Sequence, residues 1–283
     1  MNDQEQKIKE LESKLADCET KLQSTLNEQL EAAKLLIRRD LALSRANEQL
    51  QVLDVAKSEF ISVAAHQLRT PLTAVKWILY MLLKNEFKSS EARTEFTEKA
   101  AKSTERLIEL VNDLLEVDHI QSGKYQFVFE PVDVKGVINS ILSELQPLVE
   151  KNKINIKISL ETDGKINGDP QKLRALFQNL IENAIKYSPT EGVVSITLKT
   201  KDKFIQAEVK DSGIGIPEDQ KYRIFSKFFR ASNAMKQETV GSGLGLFIAK
   251  EVVERHGGKI WFESKAGEGT SFFVELPLYV DNL

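Results

Sequence analysis

Residues 62–72 read SVAAHQLRTPL, with His66 five positions before Pro71. On a helix advancing about 100° per residue, His66 lies about 160° around from Leu68, on one line with Thr70 and Thr73. The imidazole therefore faces away from the apolar side, open to a visiting group. Near neutral pH an imidazole is largely uncharged and can act as a nucleophile. Pro71 removes the hydrogen bond to the carbonyl of Gln67, at about 3 kcal/mol. A helix that keeps such a residue has a use for the loosened backbone, and a bend that signals can work is expected there.

Three later stretches could hold a charged ligand. In NLIENAIKYS, 179–188, Asn179, Asn183 and Lys186 share one helix face at i, i+4 and i+7. Carboxamide oxygens suit Mg2+, a lysine suits phosphate, and Tyr187 offers an aromatic face to a base. In DSGIGIP, 211–217, Asp211 ends a strand and Gly213 and Gly215 begin a turn. Glycines let backbone approach a ligand, and the carboxylate can accept from an amino group such as adenine's. In GSGLGLFIAK, 241–250, Gly241, Gly243 and Gly245 precede a helix expected over 244–256. Its amides and positive end can face phosphates. Each stretch alone would pass as a polar helix face or a surface turn. Residues 217–240 are long and polar, as a mobile lid should be. His256, before Gly257 and Gly258, and His119, near the end of a helix, read as structural.

The positioning elements follow from periodicity. Residues 1–56 lack proline and glycine and read as a coiled-coil signalling helix. Its seam runs through Ile8, Leu11, Leu15, Cys18 and Leu22, shifts phase at Leu26, Leu30, Ala33 and Ile37, and returns with Leu43, Ala46, Leu50, Leu53 and Phe60. Residues 57–122 form a helical hairpin. Its first helix carries Ile61, Ala65, Leu68, Leu72, Val75, Leu79 and Leu82, with a neighbouring line at Phe60, Ala64, Ala74, Ile78 and Met81. Stripes this wide need a second hairpin, giving a dimeric four-helix bundle. From 123 to 283 the texture is β-rich, in YQFVFEPVDV, KINIKISL, VVSITLKT, FIQAEVKDS, GKIWFESKAG and TSFFVELPL. Helices fall near 134–151, 170–187 and 243–257. The expectation is an α+β sandwich of one sheet with helices on one face.

FISVAAHQLRTPLTAVKW resembles the phosphoacceptor box of sensor histidine kinases of two-component systems. NLIENAIKYS, DSGIGIP, FSKFFR at 225–230 and GSGLGLFIAK follow in that family's order. The resemblance covers roughly residues 57–280, and five boxes in order are far more specific than one glycine motif. It implies a dimerisation and histidine phosphotransfer hairpin followed by a catalytic domain of the Bergerat (GHKL) ATP-binding fold. By that resemblance His66 is phosphorylated from ATP, and the phosphoryl group passes to an aspartate in the receiver domain of a response regulator. Asn183 holds Mg2+. Asn179, Lys186, Tyr187, Gly213, Gly215, Gly241, Gly243, Leu244 and Gly245 line the nucleotide pocket, and Asp211 sets adenine specificity. Thr70 orients water when the kinase acts as regulator phosphatase.

One position departs from that pattern. The family usually has Glu or Asp after the histidine, and Gln67 can fix a tautomer but brings no charge. A working but slow autokinase is the expectation. The competing readings are an ATPase or ATP-switched clamp of the same superfamily, and a dimeric scaffold with a degenerate catalytic domain. The hydrolytic relatives place a glutamate one turn before the metal-binding asparagine, where this chain has Asn179. The intact glycine and asparagine boxes argue against the scaffold.

The totals agree with these readings. A net charge of -3 gives no reason to expect nucleic acid as partner. The one cysteine, Cys18, forms no intrachain disulfide, as suits a cytoplasmic protein or the cytoplasmic part of a membrane receptor. No membrane-spanning stretch, signal peptide or further receiver domain is read in the chain, although a longer parent with a membrane-anchored sensor fits the pattern.

Overall fold

A computed structural model describes residues 3–84, 86–87, 89–122, 127–162, 164–237 and 241–279. The side chain of Leu53, the start of the β-rich region at 123–126 and the end of the expected lid at 238–240 lie outside the described residues. The chain divides into two units, Met1–Ser62 and Val63–Leu283.

The first unit is helix. It belongs to α1, Asp3–Leu83, which continues into the second unit without a break at Pro71. Every described side chain from Lys7 to Gln51 is exposed. Ile8, Leu15 and Leu22 are 55%, 62% and 61% accessible, so among the described residues from Lys7 to Gln51 the seam is open within one chain.

In the second unit, α1 and α2, Ser90–Gln121, form the hairpin. Ser89 caps α2, its Oγ accepting from the amide of Ala92 at 3.2 Å. The buried residues of α1 here are Ala64 and Ile78, from the neighbouring line. The line read as the main stripe is only part open: Leu72 and Leu79 are exposed at 58% and 52%, while Leu68, Val75 and Leu82 are half-buried. On α2, Ala100, Leu110, Val117 and Ile120 are buried, while Ile108, Val111 and Leu115 are exposed. One hairpin therefore buries one stripe and leaves another for a partner surface.

Among the described residues the remainder carries two sheets, not the one expected. β1, Glu130–Asp133, pairs antiparallel with a strand not expected from sequence, β3, Lys165–Gly168. The five-stranded sheet holds β2, Asn155–Glu161; β4, Val193–Lys201; β5, Phe204–Asp211; β6, Lys259–Lys265; and β7, Gly269–Pro277. Its order is β2-β4-β5-β7-β6, with β2 and β4 parallel and the other pairs antiparallel. β1 starts later than YQFVFEPVDV suggested. The rings of Phe127 and Phe129 pack on His256, and the Val128 amide donates to Asp169 Oδ2 at 3.1 Å instead of to a strand.

Three helices pair with this sheet: α3, Val134–Asn152; α4, Pro170–Tyr187; and α6, Gly245–Arg255. Alternation on β4 and β5 buries Val194, Ile196, Leu198, Ile205, Ala207 and Val209 on one face. Leu173, Phe177, Leu180 and Ile181 of α4 and Val252 and Val253 of α6 complete this core. Asp169 starts α4, its Oδ1 accepting from the amides of Gln171 and Lys172, with Pro170 at the first helical position. Segment 217–237 is not plain loop. It carries a 3-10 turn, Glu218–Arg223, and a short helix α5, Ser232–Gln237, with Ile224, Ala231 and Ala234 buried.

Candidate active site

A cavity of about 430 Å³ lies among α4, the turn after β5 and the start of α6, with α2 contributing one wall. Its floor holds Asp211. The alternation that buries Ile205, Ala207 and Val209 turns Asp211 to the same face, while Lys210 is exposed. Oδ1 of Asp211 accepts from the amides of Gly213 at 2.8 Å and Thr270 at 3.1 Å. Burial nevertheless pushes its carboxyl up to about 6, and the two amides only moderate that rise.

Asn179, Asn183 and Lys186, on one face of α4, line the cavity together with the adjacent Tyr187. Nδ2 of Asn183 donates to Oδ1 of Asn179 at 3.2 Å, which turns the Asn183 carbonyl oxygen free for other work. Nδ2 of Asn179 is buried with no partner among the described residues. A buried, unmatched donor is costly unless a ligand meets it. Lys186 is already paired, its Nζ lying 2.9 Å from Oε2 of Glu182, another lining residue.

The glycines have reasons beyond the one expected. A Cβ at Gly213 would stand 2.3 Å from the Tyr187 carbonyl oxygen, and one at Gly215 would stand 2.0 Å from that of Lys265. At both positions backbone meets backbone, which only glycine allows and which fixes the turn below the cavity. Gly243, at φ +71, passes the backbone of Phe228, and a Cβ on Gly245 would meet Asn179 Oδ1 at 2.4 Å. Gly245 thereby lets the first turn of α6 approach α4. Leu244 is the N-cap residue of α6 and provides no side-chain cap, and Gly241, Gly243, Gly245 and Leu246 line the cavity. The first amides of α6 are thus available to an anion.

The hairpin contributes what spacing could not show. Glu109, Asp113 and Glu116 of α2 line the cavity. Oδ2 of Asp113 accepts from Ser242 Oγ at 2.6 Å, and Lys172 Nζ lies 3.2 Å from Glu116 Oε1. Arg255 Nη2 donates to the Ile120 carbonyl at 2.8 Å. Arg230 and Thr270 also line the cavity, outside the residues singled out in the sequence. Thr270 lies in a run whose pattern signals only a strand, and nothing in the spacing of FSKFFR singles out Arg230.

His66, Gln67 and Thr70 are not among the lining residues; all three are exposed on α1. Thr70 Oγ1 donates to the His66 carbonyl at 3.3 Å. The expected imidazole–carboxamide bond between His66 and Gln67 is not made, because adjacent helix residues point about 100° apart. His256 is structural: Nδ1 lies 2.7 Å from the Val252 carbonyl, and Nε2 accepts from the Asp169 amide at 3.0 Å.

Comparison with known proteins gives the same picture. The profile of the histidine kinase-, DNA gyrase B-, and HSP90-like ATPases matches residues 168–280, and that of the His Kinase A (phospho-acceptor) domain matches 56–123. The sensor histidine kinase WalK of Bacillus subtilis is 35% identical over 227 residues, 80% of this chain. The chain spans 37% of that relative's length, and 31% and 39% of two other curated relatives. Among solved structures, full-length ShkA in complex with AMPPNP aligns at TM-score 0.58 and 27% identity, over 79% of this chain and 46% of that one. Histidine kinase ThkA in complex with response regulator protein TrrA shares the fold at TM-score 0.62 and 24% identity, over 84% of this chain and 65% of that one. The phosphoacceptor hairpin and the sandwich with its cavity are thus matched in order along one chain, which belongs to the sensor histidine kinases of two-component systems.

Proposed function

We propose that this chain is an ATP-dependent protein histidine kinase that phosphorylates His66 and then passes the phosphoryl group to an aspartate of a response regulator. The observation that carries the reading is a division of labour within one chain. An exposed histidine stands on a helical hairpin, and the following domain holds a cavity with a buried carboxylate at its base and an uncapped helix start at its rim.

The residues present fit a nucleotide. Asp211 would accept from the adenine amino group, and Tyr187 would flank the base. The unmatched Nδ2 of Asn179 and the first amides of α6 would meet phosphate oxygens. Asn183 would hold Mg2+ through its free carbonyl oxygen. Among the described residues no group of three or more His, Cys, Asp or Glu could hold a metal, so the remaining ligands would be phosphate oxygens and water. When bound, Mg2+ neutralises charge on the phosphates.

In the transfer, a neutral nitrogen of His66 bonds to the γ-phosphorus as that atom's bond to the bridging oxygen breaks. ADP leaves with the electron pair, and the ring proton passes to solvent. Gln67 can orient the ring once its amide swings toward it, without supplying charge. The exposed stripe at Leu72, Leu79, Ile108 and Leu115 supports a homodimer built on the hairpin. Thr70, one turn from His66, would orient water for dephosphorylating the regulator.

Incubation with labelled ATP and Mg2+ tests the reading. The label should be lost in acid and kept in base, as a phosphoramidate is, and His66→Ala should abolish it while nucleotide binding persists. Label surviving in His66→Ala would remove the assignment.

A further inference from the structure

We infer that Asn233 is a positioning residue for nucleotide binding, fastening segment 217–237 to the turn that follows Asp211; this rests on the kinase reading above. Nδ2 of Asn233 donates to the carbonyl of Gly215 at 2.8 Å and, less directly, to that of Ile214 at 3.3 Å. Among the described residues, Asn233 is the donor that Gly215's carbonyl meets. Both carbonyls belong to the turn that starts at the adenine-facing carboxylate, and Ile214, Gly215 and Ile216 line the cavity.

That turn is rigid on its other sides. Ile214 N donates to the Tyr187 carbonyl at 3.3 Å, Gly267 N donates to the Ile214 carbonyl at 2.8 Å, and Ile216 N donates to Ser264 Oγ at 2.9 Å. Asn233 thus joins this turn to segment 217–237, which Phe225 also holds against Phe262 and Phe272 and Lys227 holds over Phe247. Gln220 accepts from Ser232 N at 2.9 Å, which tethers α5 to the 3-10 turn of the same segment and not to the cavity floor. Gln237 reaches the carbonyls of Lys186 and Tyr187 only at 3.4 and 3.5 Å. The apolar wall added to the cavity by Ala231, just before α5, and Ala234 within it is buried beside Asn233. A carboxamide suits this position because two carbonyl oxygens converge on one atom, which must be a donor.

The consequence is pre-organisation. If the wall is in place for only a fraction of the time, apparent affinity falls by that fraction. Losing one hydrogen bond of ordinary strength, and leaving a carbonyl unmatched, should weaken nucleotide binding by roughly 5- to 10-fold. The chemical step on His66 should change little once nucleotide saturates.

The experiment compares wild type, Asn233→Ala and Asn233→Asp in two ways. Calorimetric titration with AMPPNP and Mg2+ should show Kd raised in Asn233→Ala at unchanged stoichiometry, with autophosphorylation showing a raised KM and near-normal kcat. Asn233→Asp should be worse still at pH 8, where a carboxylate faces two carbonyl oxygens. It should recover toward wild type at pH 5, relative to Asn233→Ala, as a protonated carboxyl regains a donor. Limited trypsin digestion without nucleotide should cut faster at Lys221, Arg223, Lys227, Arg230 or Lys236 in both variants. Equal Kd and equal cleavage in wild type and Asn233→Ala would overturn the assignment, as would a fall in stoichiometry or kcat alone. Absence of AMPPNP binding by wild type would sink the kinase reading instead, and the digestion would still decide whether Asn233 holds the segment.

Discussion

Ser242, in the glycine stretch before α6, donates a 2.6 Å hydrogen bond to Asp113 of the hairpin helix α2. Its Oγ also accepts from the Leu244 amide at 3.1 Å, so one hydroxyl connects the hairpin to the start of the phosphate-facing helix. Burial raises the Asp113 carboxyl above its ordinary range, and the bond from Ser242 lowers it in part. With Glu109 and Glu116, one turn or less away on the same helix face, it gives the cavity an acidic wall.

A nucleotide's phosphates should feel that wall. Asp113→Asn keeps an acceptor for Ser242 and removes the charge, worth on the order of 1 kcal/mol against a nearby anion. ATP should therefore bind the variant roughly five-fold tighter, with adenosine unchanged and the gap narrowing in high salt. Titrations with both ligands at two salt concentrations check this. Equal gains for adenosine and ATP would point to altered packing instead of charge.

Asp211 gives a pH signature. Its carboxyl, held up to about 6 by burial, is ionised above that pH and is then the stronger acceptor for an amino group. The affinity advantage of wild type over Asp211→Asn should be full at pH 8 and shrink as pH falls through about 6. Taking the ratio cancels titration of the nucleotide's own phosphates. The folding effect has the opposite sense, because the folded-state value lies above the ordinary 3.8. Burying the ion opposes folding fully above pH 6 and not at all below pH 4. Melting of wild type relative to Asp211→Asn should thus worsen between pH 4 and 7, and a pH-independent difference would contradict the assignment.

Much of this was legible because its cause is local. The β-rich run and the glycines after it placed Asp211 at a strand end before a turn, and the i, i+4, i+7 spacing placed Asn179, Asn183 and Lys186 on one helix face. What escaped depends on contacts between distant segments. β3 exists because Lys165–Gly168 finds β1, and four residues carry no period of their own. The acidic wall exists because α2 docks beside α6, as the Arg255–Ile120 and Ser242–Asp113 bonds record. A further reason for Gly213 and Gly215 escaped for the same cause, since the backbone oxygens they must clear belong to Tyr187 and Lys265.

The first unit predicts its own partner. Cys18 is exposed on α1, where every described side chain from Lys7 to Gln51 is uncovered within one chain. In a parallel two-stranded coiled coil both Cys18 residues would sit at one height on the seam. Mild oxidation should then link two chains, and Cys18→Ser should abolish the link without changing the mass by light scattering. A monomer at micromolar concentration, with no oxidised dimer on a gel, would refute the parallel pairing.

Gln67 decides how the phosphoacceptor works. Its side chain is exposed and unbonded among the described residues, and it diverges from the His66 ring as adjacent helix positions must. To help, it has to swing toward the ring when ATP arrives, accepting the ring N–H and turning the other nitrogen toward the γ-phosphorus. A glutamine does this without balancing the positive charge that builds on the ring. Gln67→Glu should therefore raise the autophosphorylation rate, by about ten-fold at this solvent-exposed position, the lower end of what general-base help can add being ~10². Gln67→Ala should lower it several-fold, because orientation is lost as well. Nucleotide affinity should not move in either variant, since residue 67 is not among those lining the cavity. Thr70→Ala should spare this step, as its hydroxyl reaches only the His66 carbonyl, and should instead slow dephosphorylation of the regulator. The rival idea is that Gln67 is a helix-surface residue without a part in the reaction. Initial rates at saturating ATP separate the two: if both Gln67 variants match wild type, residue 67 has no part in the reaction.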